Sequence, residues 1–150
     1  MKVVIQRVSK AFIECESGHT DEIQKGLLIL LGIEETDGQD DISWLGPKIC
    51  QLRIFPDENE VMNKNVVEAG GDLMVVSQFT LHASTKKGNR PSYIRAARPE
   101  HAIPLYESFI AKLEALTTKK VRHGVFGDHM DISLTNDGPV TIIIDSKNKE

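Results

Sequence analysis

The sequence predicts an α+β fold, a single domain over residues 1–150 built on a curved, barrel-like β-sheet with two main helices. Short apolar segments of strand length recur along the whole chain, while two other stretches carry apolar residues at helical spacing. No repeat, low-complexity linker or break in composition divides the 150 residues, a length that buries a core without staples.

Lys2–Val8 and Phe12–Glu16 are predicted as the first two strands. Gly26–Ile33 is a continuous apolar run and reads as a buried strand. In Asp40–Leu52, the spacing of Ile42, Leu45, Ile49 and Leu52 predicts a helix with Asp40 or Asp41 as N-cap. Gly46-Pro47 falls inside it, and proline both lacks the N–H and clashes with the turn before it, so a kink or two short helices are expected.

Leu52–Phe55 reads as a short strand ended by Pro56-Asp57, Gly70-Gly71 as a turn, and Asp72–Phe79 as a strong strand. Residues 82–98 are polar, basic and irregular. Pro99 suits the first position of a helix running to about Leu116, with Ala102, Leu105, Tyr106, Phe109 and Leu113 on one face. Val121–Val125, Met130–Thr135 and Val140–Asp145 are predicted strands, the last two flanking an Asn136-Asp137-Gly138-Pro139 turn.

Apolar residues at 40% and charged residues at 27% are ordinary for a globular protein. Cys15 and Cys50 form no Cys-x-x-Cys pair, and two free thiols suit a reducing, cytoplasmic setting. Met1-Lys2 runs directly into strand-like Val3-Val4-Ile5, so no signal peptide is expected, and the longest apolar run is too short to span a bilayer. A net charge of −4 argues against a general affinity for nucleic acid; any such contact must rest on a local basic patch.

No nucleophile elbow, His-Glu-x-x-His or phosphate loop is present. His123 and Asp128-His129-Met130-Asp131 could be imagined as a metal site, but the spacing is looser than zinc sites use, and no metal or other cofactor is expected. Ser77-Gln78-Phe79-Thr80-Leu81 ends the strong strand, where backbone N–H groups can face a ligand; the plainer reading is a strand entering a loop. Lys86, Lys87 and Arg90 form the densest basic cluster, followed by Arg95 and Arg98, and read as a phosphate contact or as a solvated loop.

Taken together, these segments resemble the D-aminoacyl-tRNA deacylases along nearly the whole chain. Ser77-Gln78-Phe79-Thr80 matches that family's Ser-Gln-Phe-Thr motif, and Asn136-x-Gly138-Pro139-x-Thr141 its Gly-Pro motif, with Met1–Val8, Gly26–Gly32, Lys87–Ser92, Arg98-Pro99-Glu100 and Phe126-Gly127 in the expected order. Gly46-Pro47 departs from a helix that is normally uninterrupted, and Asp128-His129 stands where Ala-Asp is expected.

The resemblance implies hydrolysis of D-aminoacyl-tRNA, with glycyl-tRNA as a further candidate, by a homodimer whose two sites lie at the subunit interface. It places Ser77, Gln78, Phe79 and Thr80 in the catalytic motif. A cis Gly138–Pro139 bond would turn carbonyls into the partner's pocket, with Arg7 holding the motif and Phe126 and Met130 nearby. Lys86, Lys87 and Arg90 are the expected tRNA contacts. Two rivals stand beside this reading: Thr80 as a covalent nucleophile, which needs a base that the sequence does not name, and a non-catalytic nucleic-acid-binding protein on the same fold.

Overall fold

Strands β3 (Gly26–Gly32) and β6 (Asp72–Ser77) are apolar on both faces because both faces are covered. The computed structural model describes Met1–Glu150 and pairs these strands in parallel, from Gly26 opposite Asp72 to Leu31 opposite Ser77. The crossover that a parallel pair requires runs through α1 (Gln39–Gln51) and a small hairpin of β4 (Phe55–Pro56) and β5 (Met62–Lys64).

Alternate residues of β3 and β6 enter two separate cores. Leu27, Ile29, Leu31, Leu73 and Val75 pack with α1 and α2 (Pro99–Thr117) in a cluster of 22 buried residues. Leu28, Met74 and Val76 face the other way, against Val8, Ala11, Ile13, Cys15 and Ile23 in a cluster of 8. That second face is covered because β1 (Lys2–Cys15) is long enough to pair with β3 along its first half and with β2 (Thr20–Ile23) along its second. The strand order is β2-β1-β3-β6-β7, with β7 (Arg122–His123) at one end and β8 (Met130–Asp145) along the other side of β1, which gives a nearly closed, barrel-like sheet.

Several elements depart from the sequence reading. The two predicted N-terminal strands are one 14-residue strand, and Glu16 lies beyond it. The two predicted C-terminal strands are likewise one 16-residue strand, so Asn136–Pro139 is no hairpin turn. Gln6 pairs with Thr141 and Val8 with Asn136, which leaves Asp137, Gly138, Pro139 and Val140 all opposite Arg7 alone. Turn-forming residues are thus used for a bulge inside a strand, where the extra backbone is thrown out of the ladder.

Helix α1 is continuous through Pro47, not two helices, and its N-cap is Gly38 instead of Asp40 or Asp41. Asp41 lies one turn in and accepts the Gly38 N–H at 2.9 Å. Strand β6 stops at Ser77, and Phe79–His82 forms a 3-10 turn. Leu52–Ile54 lies outside any strand, β2 and β5 had no clear period-2 signal, and β7 shrinks to two residues. The helix over Pro99–Thr117 buries Ala102, Leu105, Tyr106, Phe109 and Leu113, the face its spacing predicts.

Candidate active site

Strand β6 ends against β3 with the Gln78 N–H donating to the Leu31 carbonyl at 2.7 Å. The chain then tightens into the 3-10 turn, in which Leu81 donates to the Gln78 carbonyl at 3.2 Å and Ala83 to the Thr80 carbonyl at 3.0 Å. The N–H groups of Phe79 and Thr80 head this turn and have no acceptor within it, as the first amides of any helical turn do not. The Gln78 side-chain amide donates to Thr80 Oγ1 at 2.5 Å. No carboxylate or imidazole hydrogen-bonds to that hydroxyl.

Beside the turn lies a cavity of about 260 Å³ between the two cores. Ser77, Gln78, Phe79, Phe126 and Met130 line it, Thr80 does not, and Leu31 and Ala102 contribute apolar surface. Phe126 is held edge-on against Tyr106 at 5.7 Å, and Phe79, half exposed at the rim, against Tyr93 at 5.0 Å. Asp128 also lines the cavity; hydrogen bonding from Ser17 holds its carboxyl below the usual range.

Neither Gly138 nor Pro139 lines this cavity. The bulge they occupy is anchored by Arg7, whose nearly buried guanidinium donates from Nε to the Asp137 carbonyl at 3.1 Å and from Nη1 to the Ile54 carbonyl at 2.6 Å. The Asp137 carboxylate lies 3.2 Å from the same Nε. The Gly138–Pro139 peptide is cis, and Gly138 has φ +124°. A Cβ at Gly138 would lie 3.2 Å from Arg7 Nη2 and 3.1 Å from Val140 Cγ2.

Lys86, Lys87 and Arg90 are exposed on the loop that leaves the 3-10 turn. His123 and His129, weighed as metal ligands, face different neighbours: His123 stacks on His19 at 5.9 Å, and exposed His129 lies 3.5 Å from Asp131. No group of three His, Cys, Asp or Glu side chains converges to hold a metal.

The roles of three further residues carry no signal in the sequence. The buried Tyr106 hydroxyl shares its one proton between the Val75 and Gly124 carbonyls, at 3.2 and 3.3 Å, which ties α2 to the segment before the cavity. Burial pushes that phenol well above its ordinary range. At Gly124 a Cβ would fall 2.3 Å from Met130 Sδ, so a glycine is what leaves room for the Met130 side chain that lines the cavity. His82 is the last residue of the 3-10 turn and is buried. Tyr106 was legible as a core residue by its helical spacing, but the reach of its hydroxyl depends on chain segments distant in sequence.

Residues 4–145 match the model of a family described as D-Tyr-tRNA(Tyr) deacylase. The chain is 64% identical to a D-aminoacyl-tRNA deacylase of Flavobacterium psychrophilum, 60% to one of Bacteroides fragilis and 57% to one of Chromobacterium violaceum, each over all of both chains. Among solved structures it resembles one described as c-Myc DNA Unwinding Element Binding Protein, at 36% identity and a TM-score of 0.89, covering 97% of this chain and 98% of that one. The fold also matches a probable eukaryotic D-amino acid tRNA deacylase at a TM-score of 0.82 and 13% identity, over 95% of this chain and 97% of that one. The matches run through both motifs and both cores, and the chain belongs to the D-Tyr-tRNA(Tyr) deacylase family.

Proposed function

We propose that this protein hydrolyses the ester linking a D-amino acid to the 3′ end of tRNA, releasing free amino acid and tRNA. The observation that carries the reading is the pair of uncommitted N–H groups, Phe79 and Thr80, at the head of the turn beside an apolar cavity. When water attacks the ester carbonyl, negative charge develops on its oxygen, and preorganised backbone donors stabilise it. The tRNA hydroxyl is the leaving group. An aminoacyl ester is already activated, so the residues need supply only orientation and this electrostatic help. Ser77 and Gln78 shape the wall, and the Gln78 amide fixes Thr80.

Selection against L-residues requires a rigid obstruction near Cα, since one site must accept many side chains. The Gly138–Pro139 segment, braced by Arg7, suits that role, and because it does not line the cavity of its own chain, a second copy would deliver it. The functional unit is accordingly a homodimer with sites at the interface, in the cytoplasm. No helix is long and apolar enough to cross a membrane. Lys86, Lys87 and Arg90 would meet tRNA phosphates beyond the cavity mouth.

Incubating the purified protein with D-tyrosyl-tRNA and measuring released amino acid tests the reading. Catalytic release supports it; tight tRNA binding without release would favour the non-catalytic nucleic-acid reading instead.

A further inference from the structure

His82 is 3% exposed, and neither ring nitrogen has a hydrogen-bond partner. Buried polar groups are almost always bonded, so this exception calls for a cause. The group nearest to a partner is Glu34, whose Oε2 lies 3.9 Å from His82 Nδ1. The same oxygen is bound by Arg95 Nη2 at 3.1 Å. Glu34 and His82 are buried or nearly so, whereas the Arg95 side chain is 64% exposed on the basic loop.

The backbone of Glu34 is fixed: its N–H donates to Asp37 Oδ2 at 2.8 Å, and it bridges to Ala96. Its carboxylate, held by Arg95, stands short of a hydrogen bond to the imidazole. On its other edge His82 packs against Gly32, where a Cβ would stand 3.1 Å from Cδ2. The ring is therefore wedged between β3 and Glu34. It is joined to Phe79 and Thr80 through the hydrogen bonds of a single 3-10 turn.

We propose that His82 is a positioning residue that receives Glu34 when Arg95 turns to a tRNA phosphate, so that occupancy of the basic loop is relayed to the turn bearing the Phe79 and Thr80 amides. The proposal rests on the deacylase reading of the cavity for its kinetic consequence, but not for its structural one. Without tRNA, Arg95 holds the carboxylate and the imidazole stays unbonded. With tRNA, phosphate competes for the guanidinium, the carboxylate swings inward, and a charge-assisted hydrogen bond to Nδ1 draws the turn into register.

The test uses the full chain with nitrogen-15-labelled histidine, the His82 signals being assigned by their loss in His82→Phe. Uncharged tRNA is the probe. Saturating tRNA is expected to move the His82 Nδ1 resonance to a hydrogen-bonded position. Arg95→Ala should place it there without tRNA, and Glu34→Gln should abolish the tRNA-induced movement. In turnover of D-tyrosyl-tRNA, His82→Phe should lower kcat by about tenfold, the scale of one charge-assisted hydrogen bond, with KM unchanged. An Nδ1 resonance unmoved by saturating tRNA, or a wild-type-like spectrum in Arg95→Ala, would overturn the relay. A resonance that moves as expected in a protein that releases no amino acid would support the relay and sink the deacylase reading.

Discussion

Thr80 is the residue on which two mechanisms divide. Its hydroxyl is engaged by the Gln78 amide and has no base beside it, whereas its N–H is a backbone group that substitution leaves in place. Thr80→Ala is expected to reduce kcat by about fivefold, the scale of one neutral hydrogen bond. Losing a true hydrolase nucleophile costs on the order of 10⁶. Trapping an acyl-Thr80 adduct by mass spectrometry would contradict this. At Gly138, φ +124° excludes most side chains, and a Cβ would press on Arg7. Gly138→Ala should lower kcat/KM by at least about tenfold and stability by roughly 1–3 kcal/mol; wild-type kinetics and urea midpoint would show that the bulge tolerates a side chain. Far from the site, Asp41 reports on how the termini are fastened. Burial by itself would raise its pKa, but hydrogen bonds from Ser146, Lys147 and the Gly38 N–H outweigh it and hold the carboxyl at about 2, against an ordinary 3.8. A depressed carboxyl contributes stability above its unfolded pKa and loses it as pH falls toward the folded value. Asp41→Asn should therefore cost on the order of 1–2 kcal/mol at neutral pH. The gap from wild type in urea titrations should close as pH falls from 3.8 to about 2.

At the level of elements, legibility followed the range of the determining interactions. Helix α2 was readable because helical spacing is local, and the same residues are buried. The Ser77–Thr80 motif was placed correctly at a strand end, but the 3-10 turn after it was not foreseen, since the Gln78 N–H from which it starts is fixed by the Leu31 carbonyl on another strand. Strands β1 and β8 each read as two because of residues that look locally like breaks: exposed Ser9-Lys10, and Asn136–Pro139. Their continuity comes from pairing along their length across more than a hundred residues of sequence, with bulges absorbing the irregular backbone. The basic loop after the 3-10 turn makes a separable prediction. Replacing Lys86, Lys87 and Arg90 together with alanine should weaken tRNA binding. It should also flatten the slope of log K against log salt by roughly one unit for each phosphate that is no longer neutralised. An unchanged slope in a filter-binding series would place the tRNA-binding surface elsewhere.

For the whole molecule, two cores on opposite faces of β3 and β6 leave a cavity at the ends of those strands, lined by Ser77, Gln78 and Phe79 of the motif. The net charge of −4 confines nucleic-acid binding to a local patch, in keeping with a protein that handles only one end of a tRNA. What no single-chain reading of the sequence could place is the relation of Gly138–Pro139 to the cavity, because β8 lines the cavity through Met130 and Ile132 while its bulge farther along does not. On the proposed reading, that bulge of a second copy supplies the selection by handedness. Its most direct test is the ratio of kcat/KM on matched D- and L-tyrosyl-tRNA under identical salt and pH. Rapid release of D-tyrosine is expected, with L-tyrosyl-tRNA left largely intact; equal rates on the two would contradict selection by the bulge.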